Sequence, residues 1–178
     1  YDITCSGGSS TNYNLIYEIG KLTITKAPLT VKVNNASRTY GAGNPEFTLT
    51  YSGFRNADKK ESLTVQPQPA CQAVETFNVG TYPITVAGGS DTNYDFVYLD
   101  GTLTITKASV VVTADLTSMV YGDPIPQYTC QYDGFVNNEQ ENVLIKLPIC
   151  SCVATSLSNV GSYIITPSGA ESSNYNFT

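Results

Sequence analysis

Short runs of alternating apolar and polar residues fill the chain, and none has the spacing of an amphipathic helix. Leu29 to Val33 is the clearest run and predicts a strand, and Phe47 to Tyr51 and Thr81 to Val86 predict two more. Glycine, proline, asparagine and aspartate separate the runs, as tight turns require. The pattern therefore predicts an all-β protein with about six or seven strands in each unit.

Hairpin signals stand out in two places. Asp100-Gly101 lies between the runs Tyr94 to Leu99 and Thr102 to Thr106, and an Asp-Gly pair in that position predicts a β-hairpin. A second hairpin is predicted within Tyr13 to Thr25. We therefore expect each unit to close with a hairpin of two paired strands.

Prolines mark one strand as peripheral. Ser62 to Ala73 is expected to be a strand, but Pro67 and Pro69 lack the backbone N–H that a ladder needs. This strand is therefore predicted to lie at a sheet edge or to be bulged.

The pattern recurs at a fixed interval of 81 residues, which separates Asn12, Asn93 and Asn174. A constant offset held at aromatic and glycine positions indicates a repeat architecture. The interval exceeds the roughly 20 to 50 residues of solenoid repeats, so each unit is expected to fold as a small domain. The pairs that keep their residue at this offset are Tyr40 and Tyr121, Gly41 and Gly122, Gly53 and Gly134, Phe54 and Phe135, Gly80 and Gly161, Tyr82 and Tyr163, Tyr94 and Tyr175, and Cys71 and Cys152.

The interval divides the chain into three parts. Residues 1–25 correspond to the last strands of one repeat, residues 26–106 to a complete repeat, and residues 107–178 to a repeat without its last strand. Lys-Ala pairs at both boundaries leave almost no spacer, so small β-sandwich-like modules, either immunoglobulin-like or compact β-sheets, are expected to follow one another as a rod. The open strand position is expected to reflect an excerpt of a longer array, or else to be filled by a neighbouring copy.

The composition of the chain excludes several classes of function. The net charge of −6 argues against a nucleic-acid partner and against attachment to anionic lipid. No apolar run approaches the roughly 18 residues of a membrane helix. Abundant tyrosine with few charged residues is typical of secreted β-proteins, and the chain has no histidine, the commonest general base. We therefore expect no enzymatic activity, no cofactor and no metal.

Acidic residues offer the remaining catalytic and metal-binding candidates. Four carboxylates in polar connections are interpreted as solvated surface groups: Asp58, Glu61, Glu139 and Glu141. Three others lie near one predicted hairpin and could supply the oxygen ligands that calcium prefers: Asp91, Asp95 and Asp100. The repeat offset replaces them with Ser10, Asn14 and Ile19, so turn formation is the favoured interpretation.

The chain has five cysteines: Cys5, Cys71, Cys130, Cys150 and Cys152. At the repeat offset Cys130 corresponds to Leu49, an inward-facing strand position, and Cys150 to Pro69. We predict a disulfide from Cys130 to Cys150 or Cys152, which would stabilise a small module in an oxidising exterior. The alternative is that they are buried free thiols.

Two further residue sets have a chemical and a structural interpretation. Lys26 and Lys107 at the boundaries could form isopeptide cross-links to asparagine, although solvated junction lysines are favoured. Tyr13, Tyr94 and Tyr175 could stack sugars along the rod, although packing in the core is favoured.

Five motifs together resemble the MBG domain of bacterial surface proteins: Tyr-Gly-x-Pro/Asn-x-Pro, Ser/Asp-Gly-Phe-x-Asn, Val-Gly-x-Tyr-x-Ile-Thr, Asn-Tyr-x-Phe/Leu and x-Gly-x-Leu-Thr-Ile-Thr-Lys-Ala. Tyr40, Gly41, Asn93, Tyr94 and Gly101 carry the pattern. The resemblance covers the whole chain and implies long tandem arrays in secreted adhesins, such as giant Bacteroidota adhesins and those of gliding motility. It implies no catalytic residues, and the five cysteines depart from the family's usual pattern.

These observations favour a structural stalk or filament segment of an extracellular, cell-surface adhesin, with neighbouring repeats of the same chain as its direct partners. One alternative is a module that binds surface glycan or protein. Another is a self-assembling extracellular fibre subunit in which strands are exchanged between chains.

Overall fold

A computed structural model describes all residues, 1–178. It contains fourteen strands and two short 3₁₀ turns, Lys60–Ser62 and Glu141–Val143, so the all-β prediction is confirmed. No helix has the length and apolar character needed to cross a membrane. The strands are β1 (Asp2–Ile3), β2 (Gly20–Lys21), β3 (Ala27–Val33), β4 (Ala36–Thr39), β5 (Leu49–Ser52), β6 (Gln68–Ala70), β7 (Gly80–Ala87), β8 (Tyr94–Leu99), β9 (Gly101–Thr106), β10 (Ala108–Ala114), β11 (Cys130–Asp133), β12 (Ile149–Cys152), β13 (Ile165–Ser168) and β14 (Tyr175–Phe177).

The complete repeat holds seven strands, β3 to β9, in two sheets with orders β5-β3-β8 and β4-β9-β7-β6. Strands β3 and β8 are parallel, as are β4 and β9, whereas the other neighbours are antiparallel. The parallel pairs distinguish this compact β-module from immunoglobulin sandwiches, whose sheets are antiparallel. Alternate residues of the two sheets are buried in one shared core: Leu29, Val31, Val33, Ile84, Val86, Leu103 and Ile105.

The predicted hairpin at Asp100-Gly101 is wrong. The two strands begin and end as expected, but β8 pairs with β3 while β9 pairs with β4 and β7, so the turn carries the chain from one sheet to the other. Only Asp100 lies between the strands. A Cβ at Gly101 would lie 2.9 Å from the carbonyl oxygen of Val33, so the crossing requires glycine at this position.

The predicted hairpin within Tyr13 to Thr25 is also wrong. Residues 1–25 form only a two-stranded pair in which Asp2 faces Lys21, and every residue of this part is exposed. This pair corresponds to the pairing of β7 with β9 in the complete repeat, where Pro83 faces Thr102. There β8 also pairs with β3, and β9 with β4. A two-stranded pair without such neighbours is marginal in water.

The strand expected over Ser62 to Ala73 is shorter than predicted. Strand β6 is confined to three residues at the edge of the four-stranded sheet, and Val65 adds a single bridge to Ser90. The start of the range belongs to a 3₁₀ turn instead. Pro67 and Pro69 account for the short ladder because neither can donate a backbone hydrogen bond.

The third repeat follows the same plan up to its last strand. Strand β10 pairs with β11 and, in parallel, with β14, while β12 pairs with β13. These pairs match β3 with β5, β3 with β8, and β6 with β7. The sequence ends at Thr178, before the position that corresponds to β9. Residues 117–120 and 161–164, the counterparts of β4 and of the start of β7, form no strands.

Candidate functional site

The surfaces of the second and third repeats meet at a joint next to Lys107, the single residue between β9 and β10. The second repeat contributes four residues, here called its end face: Tyr40, Gly41, Asn78 and Val79. The third repeat contributes four different residues, here called its start face: Val136, Glu139, Asn174 and Tyr175. We call the contact between these two faces the inter-repeat joint.

Glu139 lies at the centre of the inter-repeat joint. The hydroxyl of Tyr40 donates a 2.7 Å hydrogen bond to its Oε1, and the hydroxyl of Tyr175 donates to its Oε2. The two tyrosine rings pack edge to face with centroids 5.6 Å apart. Tyr40 and Tyr175 are only 3% and 1% exposed. One carboxylate thus binds a tyrosine from each repeat, and charge-assisted bonds of this kind are the stronger class.

A tight turn holds Glu139 in place. Asn137 and Asn138 both adopt left-handed backbone conformations, with φ of 56° and 57°, which asparagine tolerates better than most residues. The backbone N–H of Glu139 donates to the carbonyl of Val136 at 3.0 Å. The N–H of Val136 in turn donates to the hydroxyl of Tyr175 at 3.2 Å. The turn is therefore tied to the tyrosine that its carboxylate binds.

Asn174 makes a second polar connection across the joint. Its Oδ1 accepts a hydrogen bond from the backbone N–H of Val79 at 3.1 Å, and its Nδ2 donates to Oδ1 of Asn78 at 2.9 Å. Its own backbone carbonyl accepts from Ala108 at 3.0 Å, where β10 begins. The side chain thus binds the second repeat while the backbone anchors the third.

Gly41 lets the two faces come close. Its φ is +81°, and a Cβ on it would lie 2.3 Å from Cγ2 of Val136, which no side chain could accommodate. Glycine is therefore required here both for the backbone conformation and for the contact. This gives a physical reason for the Tyr-Gly motif.

Each repeat carries its own copy of both faces. On the second repeat, the hydroxyl of Tyr94 donates to Asp58 at 2.7 Å and accepts from the N–H of Arg55 at 2.8 Å, as in the start face of the third repeat. On the third repeat, the end-face residues Tyr121 and Val160 are 62% and 94% exposed. The two faces differ, so repeats that join through them extend head to tail rather than closing as a symmetric pair.

Burial keeps the joint tyrosines protonated. Burial, followed by the hydrogen bond to Glu139, raises the pKa of Tyr175 far above its ordinary value and also raises the pKa of Tyr40. Burial and then the hydrogen bond to Asp58 raise the pKa of Tyr94 as well. All three hydroxyls therefore remain donors at alkaline pH values at which an ordinary tyrosine ionises.

The other motif residues build the core next to the joint. Gly53 and Gly134 have φ of 116° and 109°, and a Cβ on either would lie within 2.6 Å of a carbonyl of the first strand of its repeat. Phe54 packs edge to face on Tyr94, and Phe135 does so on Tyr175. These positions thus support the start faces.

The motif around Val-Gly-x-Tyr shapes the end faces. The hydroxyl of Tyr82 donates to the carbonyl of Asn78 at 2.8 Å, and that of Tyr163 donates to the carbonyl of Asn159 at 2.9 Å. Gly80 and Gly161 lie between these partners, each facing its tyrosine ring. Each tyrosine thus closes the turn that presents an end face.

Asn93 contacts the first strand of its repeat. Its backbone carbonyl accepts a hydrogen bond from the N–H of Ala27, the first residue of β3, at 2.8 Å.

The interpretation of Asp58 and Glu139 as solvated surface carboxylates is wrong, because each accepts a hydrogen bond from a buried tyrosine. Glu61 and Glu141 are exposed, as expected of surface groups. The sequence carried a signal for the first two residues. An acidic residue recurs at the 81-residue offset, followed in each repeat by the Asn-Tyr motif that it binds.

The acidic residues of the calcium hypothesis serve as turn and ion-pair groups. Asp91 accepts from the N–H of Asn93 at 2.8 Å, and this bond, followed by one from Thr64, lowers the pKa of the carboxyl. Asp95 lies 3.9 Å from Nζ of Lys26. No three acidic, cysteine or histidine side chains cluster in a way that could hold a metal ion, and Asp100 joins no such group.

The boundary lysines make the same contact in both repeats. Nζ of Lys26 donates to the carbonyl of Asp91 at 2.8 Å, and Nζ of Lys107 donates to the carbonyl of Ser172 at 2.7 Å. These are hydrogen bonds to backbone rather than isopeptide bonds to asparagine.

Among the tyrosines of the sugar-stacking hypothesis, Tyr94 and Tyr175 are buried and only Tyr13 is exposed.

The structure joins Cys130 to Cys150 in a disulfide, one of the two pairings that the sequence left open. It connects the ends of β11 and β12, which belong to different sheets of the third repeat. Cys152 remains a free thiol, as do Cys5 and Cys71.

A family model described as MBG domain (YGX type) matches the chain twice, over residues 29–104 and 110–178. Neither the curated proteins nor the solved structures gave a significant match. The two matched stretches are the two repeats on either side of the inter-repeat joint.

Proposed function

This chain belongs to the MBG domain (YGX type) family, and on that premise we propose that it is a stalk segment of an extracellular, cell-surface adhesin. It sets the distance between the cell and an adhesive region and carries tension between them. Its direct partners are neighbouring repeats of the same kind. Glycan or protein targets bind elsewhere on such an adhesin, because Tyr94 and Tyr175, two of the three tyrosines that could stack sugars, are buried.

The observation that carries this proposal is the inter-repeat joint. Modules joined by a flexible linker need no direct contact with each other. Here, in contrast, Tyr40, Glu139 and Asn174 connect the repeats on both sides of a one-residue linker. Such contacts restrict bending at the junction. Because the start and end faces differ, each added repeat extends the array in the same direction.

The strand order supports a mechanical role. Tension on a repeat enters through its first strand, β3, and leaves through its last, β9. Both are internal strands of their sheets, with β3 between β5 and β8 and β9 between β4 and β7. Pulling either strand out therefore requires the loss of hydrogen bonds on both of its sides.

Single-molecule force spectroscopy on the chain, tethered at its two ends, tests the proposal. The expected result is a distinct force peak as the second repeat unfolds, releasing the chain between β3 and β9. Leu103→Ala, which removes a fully buried side chain of β9, is expected to lower the peak, whereas the matched Thr104→Ala on the same strand is expected to change it little. Extension without a resolvable peak in the unmodified chain would overturn the load-bearing role.

A further inference from the structure

Arg38, in β4, is the one charged side chain that is buried in the chain, with 7% of its surface exposed. No carboxylate lies within ion-pair distance of its guanidinium, since the three ion pairs of the chain all involve lysine. Burying a charge is costly unless it is hydrogen-bonded. The hydrogen-bond partners of the guanidinium therefore indicate why an arginine is buried at this position.

The guanidinium binds two tight turns of the second repeat at once. Its Nη1 donates to the carbonyl of Thr39 at 3.2 Å, and its Nη2 donates to the carbonyl of Val74 at 2.6 Å. The same two carbonyls close the turns, because they also accept from the backbone N–H groups of Ala42 at 3.2 Å and of Phe77 at 3.0 Å. One planar group thus connects the closing bonds of both turns.

These two turns present the end face. The first turn contains Tyr40 and Gly41, and the second leads directly into Asn78 and Val79. The third repeat makes hydrogen bonds to residues of both segments across the inter-repeat joint. The joint therefore forms in full only when the two turns are held in a fixed relative position.

Asn44 adds a second connection between the turns. Its Oδ1 accepts a hydrogen bond from Nε of Arg38 at 2.8 Å, and its Nδ2 donates to the carbonyl of Ala73 at 2.7 Å. Asn44 follows the first turn in the chain, and Ala73 precedes the second. We call the pair of Arg38 and Asn44 the turn bridge.

The third repeat shows that the turns themselves do not need the turn bridge. There Met119 and Ile125 occupy the positions of its two residues. Both turns still close through backbone hydrogen bonds of 3.0 Å, and a backbone bond from Gly122 to the carbonyl of Ser156, at 3.1 Å, connects them. The turn bridge therefore places the turns of the second repeat rather than forming them.

We propose that Arg38 is the positioning residue of the inter-repeat joint. Through the turn bridge it fixes the two turns of the end face relative to each other, and thereby sets the orientation of the second repeat against the third. A guanidinium suits this role because its donors form a rigid, planar fork. The inference deepens the stalk proposal and rests on it, because a fixed orientation at the joint is what makes an array of modules stiff.

The test is a double variant, Arg38→Met with Asn44→Ile, which gives the second repeat the residues of the third. Residual dipolar couplings of the backbone amides, measured by NMR in a weakly aligned sample, report the orientation of each repeat. We expect one alignment tensor to fit the second and third repeats of the unmodified chain. The double variant should require two tensors, while the couplings within each repeat still fit its own structure. A single tensor in the double variant, or two tensors in the unmodified chain, would overturn the proposal.

Hydrogen exchange separates positioning from general stabilisation. The N–H of Val79 donates to Asn174 across the joint, so its exchange reports the joint directly. In the double variant this amide is expected to exchange about tenfold faster, whereas the amides of β9 should keep their rates. Equal acceleration in β9 would show that the turn bridge only stabilises the second repeat, and would overturn the positioning role.

Two single variants serve as controls. Arg38→Lys keeps the charge, but an ammonium group donates from one atom and does not reproduce the fork, so two tensors are again expected. A single tensor in Arg38→Lys would overturn the role assigned to the guanidinium. Lys32→Met removes a positive charge from an exposed position of β3 and should retain a single tensor. Two tensors in that variant would show a general effect of charge and would also overturn the proposal.

This inference and the stalk proposal can fail separately. The force peak of the second repeat depends on β3 and β9, whose backbone ladders the double variant leaves in place. A normal force peak with a single tensor in every variant would retain the load-bearing role and reject the role of Arg38. An unmodified chain without a force peak, in which the double variant nevertheless separates the two tensors, would do the reverse.

Discussion

Tyr40 and Glu139 are 99 residues apart in the chain, yet the hydroxyl of the first donates a 2.7 Å hydrogen bond to the carboxylate of the second. This contact couples the second and third repeats. Tyr175 shares the same carboxylate, so a change on one side of the joint alters a group that the other side also uses. The inter-repeat joint should therefore contribute to the stability of both repeats.

Removing the Tyr40 hydroxyl tests this coupling. Tyr40→Phe is expected to lower the free energy of unfolding by about 1.5–3 kcal/mol, the range for a hydrogen bond to a charged group. Urea unfolding followed by circular dichroism measures the change. Tyr121→Phe is the matched control, because Tyr121 occupies the equivalent position and is mostly exposed; it is expected to change stability by less than about 0.5 kcal/mol. Equal effects of the two variants would contradict a specific role for the joint.

A pair of glycine substitutions separates contact from backbone strain. Gly41 and Gly122 both have left-handed φ, +81° and +90°, but only a Cβ at Gly41 meets Val136. Both Gly→Ala variants are expected to lose about 1–2 kcal/mol from the left-handed conformation. Gly41→Ala should lose clearly more and should increase bending between the repeats, measured by small-angle X-ray scattering. Identical losses and unchanged scattering would show that the close approach does not matter.

The repeat period and the β class were accessible from sequence because both depend on local signals. Alternation with period two marks strands, and fixed offsets of tyrosine and glycine mark the repeat. The pairing of strands was less accessible. The sequence Asp100-Gly101 is typical of a hairpin turn. Whether the flanking strands pair with each other or cross between sheets depends on where β3 and β4 lie, which is a property of the tertiary structure.

The sequence does not predict the joint, for a related reason. It marks Tyr40, Gly41 and Asn174 as recurring positions, but a recurring residue packs equally well within its own repeat or against the next one. Glu139 lies in a polar turn, which favours the interpretation of a solvated carboxylate. Only the fold brings that turn beneath Tyr40. The one signal in the sequence is that an acidic residue, Asp58, occupies the equivalent position in the second repeat.

The disulfide supplies a test confined to the third repeat. The Cys130–Cys150 bridge closes a loop with a sequence separation of 20 residues, for which the chain-entropy model gives about 3 kcal/mol of stabilisation. Replacing both cysteines with Ala should lower the unfolding free energy of the third repeat by about that amount. Proteolysis under native conditions, with the fragments identified by mass, should then cut the third repeat before the second. Cys71→Ala is the control, since Cys71 is a free thiol. Unchanged protease resistance in the double variant would contradict a stabilising role.

Alkaline pH should weaken the joint through its tyrosines. The folded chain holds the pKa of Tyr40 and Tyr175 above the ordinary value of 10.0, so these groups stay protonated when their unfolded counterparts ionise. Unfolding then releases protons, and stability must fall as pH rises above about 10. Below that pH both states are protonated and the contribution is fully present.

The measurement is the melting temperature as a function of pH, together with the ultraviolet absorbance of tyrosinate. Tyr175→Phe should reduce the alkaline loss of melting temperature, because it removes the group whose pKa is raised most. Tyr121→Phe should leave the slope as it is, because that side chain is mostly exposed. If all tyrosines of the folded chain ionised together near pH 10, neither burial nor the hydrogen bonds to Glu139 would raise the pKa of Tyr40 and Tyr175, and the protonated hydroxyls assigned to the joint would be wrong.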